Sequence, residues 1–163
     1  MIGRRIIYAA MLVATASLGG LCFYILQPPE VGRLSETSQV IRSEAGEIMN
    51  LRLTSKGFWR EKVFLSELDP NLIRTLIAYE DQRYWKHHGV DPLALVRAIF
   101  DYIKSGDISS GASTLTMQTV RLMDPNLARR TFTTKLRQML AAIRLDAHWS
   151  KEAILEAYFT LAP

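Results

Sequence analysis

Cysteine is nearly absent from the sequence: the 163 residues contain one, Cys22, so no disulfide can form within the chain. Cys22 lies in an apolar segment and follows Leu21, where a lipoprotein signal has a small residue, which argues against lipidation. Histidine is scarce too, and the adjacent His87 and His88 lack the further ligands that a zinc site requires. The sequence therefore excludes a disulfide scaffold and predicts no metal site held by protein ligands.

Charge is absent from one long segment near the N-terminus. Ile6 to Leu26 is uncharged and mostly apolar, close to the length that a helix needs to cross ~30 Å of hydrocarbon. Arg4 and Arg5 precede it, so the positive-inside rule predicts a cytoplasmic N-terminus and places the rest of the chain on the outer side. A cleaved signal peptide is the alternative, because Ala14-Thr15-Ala16 resembles a cleavage site. The sequence stays apolar after that site, which favours an uncleaved anchor.

The remainder divides into an extended part and a helical part. Residues 39–43 and 48–53 flank the turn-forming residues 44–47, which predicts a short β-hairpin. Beyond it, apolar residues recur at helical spacing. We predict a mainly α fold with the following organisation: residues 1–27 form the cytoplasmic N-terminus and transmembrane anchor, 28–65 an extended linker with the β-hairpin, and 66–163 the helical domain.

Two Asp-Pro pairs predict helix starts in the helical part. Asp69-Pro70 and Asp91-Pro92 each provide an N-cap and a first-turn proline. The helix after Asp91 and a helix at about residues 133–148 each carry an apolar stripe, which predicts two core faces. The stripes are Leu93, Val96, Phe100 and Ile103 in the first helix, and Leu136, Met139, Leu140 and Ile143 in the second.

Glu80 stands where the apolar stripe of its own helix would place an aliphatic side chain, four residues after Leu76 and three after Ile77. We expect Glu80 to be buried, and burial raises the pKa of a carboxyl group, whereas nearby Arg83 and Lys86 lower it. A carboxylate in this position is a candidate general base. The structural alternative is that Glu80 ends the helix and pairs with Arg83.

The residues after Glu80 extend the candidate site. Tyr84 and His87 follow it by four and seven residues, so a helix that continues as far as Gly89 would carry all three on one face. We expect His87 to orient the Glu80 loop by hydrogen bonding. Asp81 is either an electrostatic helper of Glu80 or a structural hydrogen-bond acceptor, and we favour the second role.

A second polar stretch leads into a basic region. Ser113 is a predicted N-cap, and Thr114, Gln118 and Arg121 then share a helical face, which a solvated surface would also show. Between residues 121 and 144 the only acid is Asp124. The cations there are Arg121, Arg129, Arg130, Lys135, Arg137 and Arg144. This imbalance suits anionic lipid headgroups, a phosphate-bearing ligand, or both.

The segment from residue 80 to 91 resembles the first signature of the peptidoglycan glycosyltransferases, family 51, which reads Glu-Asp-x-x-Phe-x-x-His-x-Gly-x-Asp. Glu80, Asp81, His87, Gly89 and Asp91 match, with a tyrosine at the phenylalanine position. Residues 111–118 resemble the second signature, Gly-x-Ser-Thr-x-Thr-x-Gln, with methionine in place of a glutamine at position 117. So many fixed positions in short segments make a specific signal.

The other two signatures match less completely. The third, Arg-Lys-x-x-Glu, keeps Lys135 but has Thr134 for the arginine and Gln138 for the glutamate. The fourth, Lys-x-x-Ile-Leu-Glu-x-Tyr-Leu-Asn, aligns with the segment that begins at Lys151 and has Thr160 for the asparagine. The departures at Met117 and Gln138 are similar to those in penicillin-binding proteins of the 1C type.

The resemblance implies a lysozyme-like fold that polymerises lipid II into glycan strands, with inversion, at the outer face of the bacterial cytoplasmic membrane. It implies Glu80 as general base and Asp81, His87 and Gln138 as auxiliary residues. The donor and its pyrophosphate would be held by Ser113, Thr114, Gln118, Arg121, Lys135 and Arg137. A divalent cation, Mg²⁺ or Mn²⁺, would bind through the substrate pyrophosphate. The implied partners are lipid II, the growing strand, the membrane and other cell-wall synthesis proteins; nucleic acid is not expected outside the cytoplasm.

Two other functions fit parts of the sequence. A catalytically inactive, membrane-anchored module that binds lipid II fits the loss of the glutamate at Gln138. A lysozyme-like hydrolase fits Glu80 but leaves the anchor and the basic region unexplained. A complete family domain continues beyond these residues, and no transpeptidase Ser-x-x-Lys motif occurs in them. We therefore expect the chain to be the front part of a larger enzyme.

Overall fold

The computed structural model describes residues 2–105 and 110–162. Its helices are α1 (Ile2–Leu26), α2 (Pro70–Glu80), α3 (Pro92–Ser105), α4 (Leu115–Met123), α5 (Phe132–His148) and α6 (Lys151–Leu161). The strands are β1 (Gln39–Arg42) and β2 (Ile48–Arg52), and short 3₁₀ turns lie at Gly32–Ser35, Leu65–Glu67, Ser110–Ala112 and Pro125–Ala128. The predicted fold class, mainly α with a β-hairpin and an apolar N-terminal helix, is confirmed.

The N-terminal helix α1 contains the predicted apolar segment. Ile6–Leu26 is long and apolar enough to cross a membrane, with a mean hydropathy of 2.0, and none of this stretch is buried inside the protein. Its C-terminal end is fixed to α5: Arg144 donates from Nε to the carbonyl of Gln27 at 2.9 Å and stacks 4.7 Å from the ring centroid of Tyr24. The candidate span therefore ends directly against the helical part.

The predicted β-hairpin is present. β1 and β2 pair antiparallel with Gln39 opposite Arg52, and an irregularity lies between Ile41 and Arg42. Gly46 occupies the turn with a φ of +82°, a conformation that favours glycine. The chain returns alongside the hairpin, where the backbone of Ser38 donates to that of residue 60 at 2.7 Å.

Helix α4 forms the centre of the core, between α5 and α6. Leu115, Met117, Val120 and Met123 of α4 are buried. They pack with Ala142 and Leu145 of α5 and with Ile154, Leu155 and Leu161 of α6. Burial of each large aliphatic side chain contributes about 1.5–3 kcal/mol, so this helix is well suited to position the residues at its ends.

The predicted core stripe of α3 is wrong. Leu93, Val96, Phe100 and Ile103 are all exposed, and within the described side chains of α3 only Ala94 is buried. Helical spacing correctly identified an apolar face, but spacing does not reveal what lies against it. The expected helix start is confirmed, because Asp91 accepts a hydrogen bond from the backbone N–H of Leu93 at 2.9 Å.

The predicted core stripe of α5 is also wrong in part. Leu136 and Leu140 are exposed, whereas Met139 and Ile143 are half-buried. The buried side chains of this helix are Thr134, Gln138, Ala142 and Leu145. Polar residues occupy core positions here because their hydrogen bonds are satisfied, as with the Thr134 hydroxyl 2.7 Å from that of Thr131.

Candidate active site

Glu80 is the last residue of α2, and its side chain is exposed. The prediction of a buried carboxylate is wrong, because the helix ends here and the backbone of Asp81 turns away with φ −158° and ψ 72°. The helix therefore does not continue to Gly89, and the condition under which Glu80, Tyr84 and His87 would share a helical face is not met. Ile77, one turn earlier, is buried, so the stripe reaches the core only as far as that residue.

Asp81, in contrast, is buried, with 7% of its surface exposed. Its carboxylate lies 2.9 and 3.0 Å from Nε2 of the buried His87 and accepts a hydrogen bond from the backbone N–H of Leu115 at 3.0 Å. The first N–H groups of a helix attract negative charge, so Asp81 ties the loop after Glu80 to the start of α4. We call Asp81, His87 and Leu115 the Asp81 cluster.

Two further contacts fix this loop. Tyr84 is fully buried, and its hydroxyl donates to the carbonyl of Lys151 at 2.7 Å. Burial, assisted by the charge of Asp146, raises the pKa of Tyr84, which keeps the hydroxyl protonated as a donor. Gly89 has a φ of +78°, and an added Cβ would collide with the backbone carbonyl of Ala142. The loop is therefore packed directly against α5 at a position that accepts only glycine.

Thr114, not Ser113, is the N-cap of α4, which corrects the prediction. The buried Thr114 hydroxyl accepts from the backbone N–H of Met117 at 3.1 Å and donates to the carbonyl of Gly89 at 2.6 Å. Through these two hydrogen bonds Thr114 joins the start of α4 to the loop at Gly89. Ser113 is left free to contact other groups.

Lys135 reaches Ser113 from α5. Its Nζ donates to the Ser113 hydroxyl at 3.1 Å. Burial, and then the nearby guanidinium of Arg121, lower the pKa of Lys135. Within residues 2–105 and 110–162 neither cation forms an ion pair with a carboxylate. Two neighbouring cations without a counter-charge form a suitable site for an anionic group.

Gln118 connects this cation pair with Glu80. Its Nε2 donates to Oε2 of Glu80 at 2.9 Å, from the same α4 face that carries Arg121. Sequence reasoning missed Tyr158 of α6, although it belongs to the fourth signature. Burial, and then the charge of Glu80, raise the pKa of Tyr158, whereas Arg121 lowers it. The tyrosine therefore lies within electrostatic reach of both the acid and the cation.

A groove of about 200 Å³ opens beside Glu80. Its walls include Arg83, Arg97, Ser113 and Thr114, and Arg83 lies 3.6 Å from the carboxylate of Asp91. Because Ser113 both lines the groove and accepts from Lys135, it joins the acid end to the cationic end. We use the name Glu80 groove for Glu80 and Ser113, which line it, together with three neighbours outside its lining. These are Gln118 and Lys135, which are hydrogen-bonded to the two lining residues, and Arg121, which is near Lys135.

Two predicted residues lie elsewhere. Gln138 is buried, and its Nε2 donates to the carbonyl of Leu127 at 2.6 Å, so it fastens α5 to the preceding 3₁₀ turn. Arg137 lines a different cavity, beside α1. Lys135 and Arg137 are two residues apart, roughly 200° around a helix with 3.6 residues per turn, so they cannot share a face.

No protein-held metal site is present in the described ranges, where no group of three His, Cys, Asp or Glu side chains could hold an ion. At the cationic end of the groove, the nearby groups are two cations and a hydroxyl. They do not fit a resident Mg²⁺ or Mn²⁺, since such ions prefer several oxygen ligands. An ion carried by a substrate pyrophosphate stays a prediction.

The chain matches the model of the transglycosylase family over residues 46–163, and it belongs to that family. The match includes α2 to α6, the Asp81 cluster and the Glu80 groove. The transglycosylase domain is lysozyme-like, as the sequence resemblance implied.

The similar proteins are penicillin-binding proteins. Penicillin-binding protein 1C of Escherichia coli (strain K12) is 44% identical over 107 residues, which cover 66% of this chain and 14% of that protein. Penicillin-binding protein 1A of the same strain is 34% identical over 152 residues, 91% of this chain and 18% of the relative. The corresponding figures for penicillin-binding protein 1A of Vibrio cholerae are 31%, 153 residues, 91% and 18%. The chain thus spans less than a fifth of the length of these relatives.

Proposed function

We propose that this chain carries the glycosyltransferase site of an enzyme that polymerises lipid II into peptidoglycan strands. The observation that supports it most strongly is the hydrogen bond from Gln118 to Glu80. Gln118 shares a face of α4 with Arg121, and Arg121 is close enough to Lys135 to lower its pKa. A carboxylate and a pair of cations are the two kinds of group that displacement of a pyrophosphate requires. Membership of the transglycosylase family supports the same reaction class.

In the proposed reaction, the 4-hydroxyl of the acceptor sugar attacks the anomeric carbon of the donor from the face opposite the leaving group. Glu80 takes the hydroxyl proton as the new C–O bond forms. The anomeric bond to the lipid pyrophosphate breaks, and its electron pair leaves with the pyrophosphate. Lys135 and Arg121 stabilise the negative charge that grows there, since preorganised cations act where charge develops. The configuration at the anomeric carbon is inverted.

Because Glu80 is exposed, the bound sugars would change the surroundings of its carboxylate. In the free protein the carboxylate faces water and makes one hydrogen bond to Gln118. An acceptor sugar that covers the groove would remove this water and strengthen both the base and its interaction with the cations. Asp81 and His87 do not touch the reacting atoms and act by holding the Glu80 loop.

The membrane location is part of the proposal. The apolar α1 supports an anchor in the inner membrane, and the two arginines at positions 4 and 5 support a cytoplasmic N-terminus. Lipid II and the growing glycan strand would then reach the groove from the outer surface of the bilayer. We propose other cell-wall synthesis proteins as further partners.

Substitution of the proposed base tests the function. The full chain is reconstituted in vesicles with fluorescently labelled lipid II, and the products are separated by electrophoresis. We expect Glu80→Gln to lower the polymerisation rate about 10²- to 10⁴-fold, the usual contribution of general-base catalysis. Glu47→Gln, at an exposed glutamate directly before β2, makes the same change of charge and should leave the rate unaltered.

Two results would contradict the proposal. Polymerisation by Glu80→Gln at the wild-type rate would exclude this residue as the base. Release of soluble sugar fragments from cell wall, without polymer, would show a hydrolase instead.

A lipid II-binding module without activity is the second candidate. It is favoured by Gln138, which is buried and bonded to a backbone carbonyl, so no carboxylate accompanies Lys135 at this position. It predicts saturable binding of labelled lipid II with no polymer from the wild-type chain.

A further inference from the structure

A second, larger cavity lies where α1 meets the helical part. Its volume is about 820 Å³, within the range of sites that hold small molecules, roughly 300–1,000 Å³. It is bounded by the C-terminal end of α1, residues 29–33, the end of α4 and one face of α5. The proposed glycosyl transfer makes no use of it.

The rim of this cavity is cationic. Arg33, Lys56, Arg137 and Arg144 line it, against the carboxylates of Glu30 and Asp124. Asp124 is already engaged, because it accepts hydrogen bonds from the backbone N–H and the side-chain amide of Asn126 at 2.8 and 2.9 Å. Among the described residues, none of the four cations forms an ion pair. The rim therefore has positive charge in excess.

The interior of the same cavity is apolar. Met123 and Leu145 form buried wall, and Leu140, exposed and outside the core, opens onto the space. Leu21 and Tyr24 of α1 line the side that continues into the apolar segment. A cationic rim above an apolar interior matches an amphipathic ligand with an anionic head.

This cavity is separate from the Glu80 groove. Helix α4 lies between them, with Gln118 directed to Glu80 and with Val120 and Met123 lining the cavity. On α5, Lys135 belongs to the groove and Arg137 to the cavity. The two groups of cations therefore serve different spaces.

We propose that this cavity binds the phosphate headgroup of an anionic phospholipid from the leaflet around the C-terminal end of α1. The guanidinium groups of Arg33 and Arg137 and the ammonium group of Lys56 contact the phosphate, since arginine binds phosphate oxygens in pairs. The acyl chains lie along the apolar surface of α1 near Leu21. The inference rests on the membrane anchoring in the proposed function and is independent of its chemistry.

Arg144 has a different part in this site. It donates to the carbonyls of Gln27 and Pro28 and stacks on Tyr24, so it fixes the end of α1 at the cavity. Lys56 and Arg137 are exposed, and no side-chain hydrogen bond or ion pair within the described structure uses them. They are therefore the residues to substitute without disturbing the fold.

Native mass spectrometry of the full chain, released from nanodiscs of equal phosphatidylglycerol and phosphatidylcholine, tests the proposal. We expect wild type to retain phosphatidylglycerol in preference, and the double variant Lys56→Gln/Arg137→Gln to lose about an order of magnitude of that preference. The matched control Arg129→Gln/Arg130→Gln makes the same change of net charge outside the cavity and should keep the preference.

Three results would overturn the proposal: equal retention of the two lipids by wild type, equal loss in both double variants, or displacement of the lipid by inorganic phosphate alone. Glu80→Gln should retain phosphatidylglycerol as wild type does. Because the readout is bound lipid and not polymer, failure here leaves the glycosyltransferase proposal intact, and failure of polymerisation leaves this one intact.

Discussion

The Asp81 cluster and the Glu80 groove begin at adjacent residues and differ in almost every physical respect. Asp81 is buried, and its carboxylate has two partners, Nε2 of His87 and the backbone N–H of Leu115. Glu80 is exposed, and within the described part of the chain its carboxylate accepts only from the side chain of Gln118. The difference indicates that the two carboxylates of one short signature have separable roles: a structural one for Asp81 and, in the proposed function, a reactive one for Glu80.

The largest expected effect on stability is at Asp81. Substitution of Asp81→Ala leaves the buried Nε2 of His87 and the N–H of Leu115 without partners, and we expect the free energy of unfolding to fall by about 2–4 kcal/mol. Chemical denaturation followed by circular dichroism measures it.

A matched control for that experiment is Asp69→Ala. Asp69 is an exposed N-cap that accepts from Asn71 at 2.8 Å, and its loss should cost about 1 kcal/mol. Equal losses in the two variants would contradict the distinction between a buried cluster and an ordinary helix cap.

The pH dependence of the free energy of unfolding and of the transfer rate tests the role of Lys135 in the groove. Its pKa is lowered from the ordinary 10.5 by burial and by Arg121. Between the lowered pKa and 10.5 the unfolded chain binds more protons than the folded one, so the free energy of unfolding rises with pH there. The transfer rate should fall over the same interval, because the ammonium group is lost.

The variant Lys135→Arg is the control, since its guanidinium stays protonated. In this variant we expect neither the rise in the free energy of unfolding nor the fall in the transfer rate over that pH interval. Rate profiles and denaturation curves recorded over one alkaline pH series measure the two effects together. A wild-type rate and stability that change in the same direction would contradict this assignment.

The smallest expected effect is at Gln118. Gln118→Ala removes one hydrogen bond from an exposed carboxylate, worth about 0.5–1.5 kcal/mol. The polymerisation rate should therefore fall up to about tenfold, and the free energy of unfolding should fall by no more than this hydrogen bond contributes. A loss as large as that of Glu80→Gln would mean that Gln118 has a direct part in the reaction.

The sequence predicted the elements well because their signals are local. The apolar run of α1, the Asp-Pro helix starts and the hairpin all depend on residues within a few positions of one another. The signatures, and not periodicity, identified Asp81, His87, Ser113 and Lys135 as site residues, but they did not predict the hydrogen bonds that join them in pairs. The domain boundaries stay predictions.

The features that the sequence could not predict depend on where a helix ends and on how one helix is rotated against another. The stripe that contains Glu80 implies burial only if the helix continues, and it ends at that residue. The side of α5 on which Arg137 lies and the burial of Gln138 depend on how α5 is rotated against α4. That rotation brings the side chain of Gln138 to the carbonyl of Leu127. Tyr158 lies on α6, far along the chain from Glu80, and helical periodicity does not show that the two residues come close together.

The most direct test of the account compares Glu80→Gln and Asp81→Asn side by side, with the melting temperature and the polymerisation rate per folded molecule measured for each. The account predicts that Glu80→Gln melts as wild type does and loses turnover, whereas Asp81→Asn melts at a lower temperature and keeps turnover in the folded fraction. A fully folded Asp81→Asn without activity, or a destabilised Glu80→Gln, would contradict it.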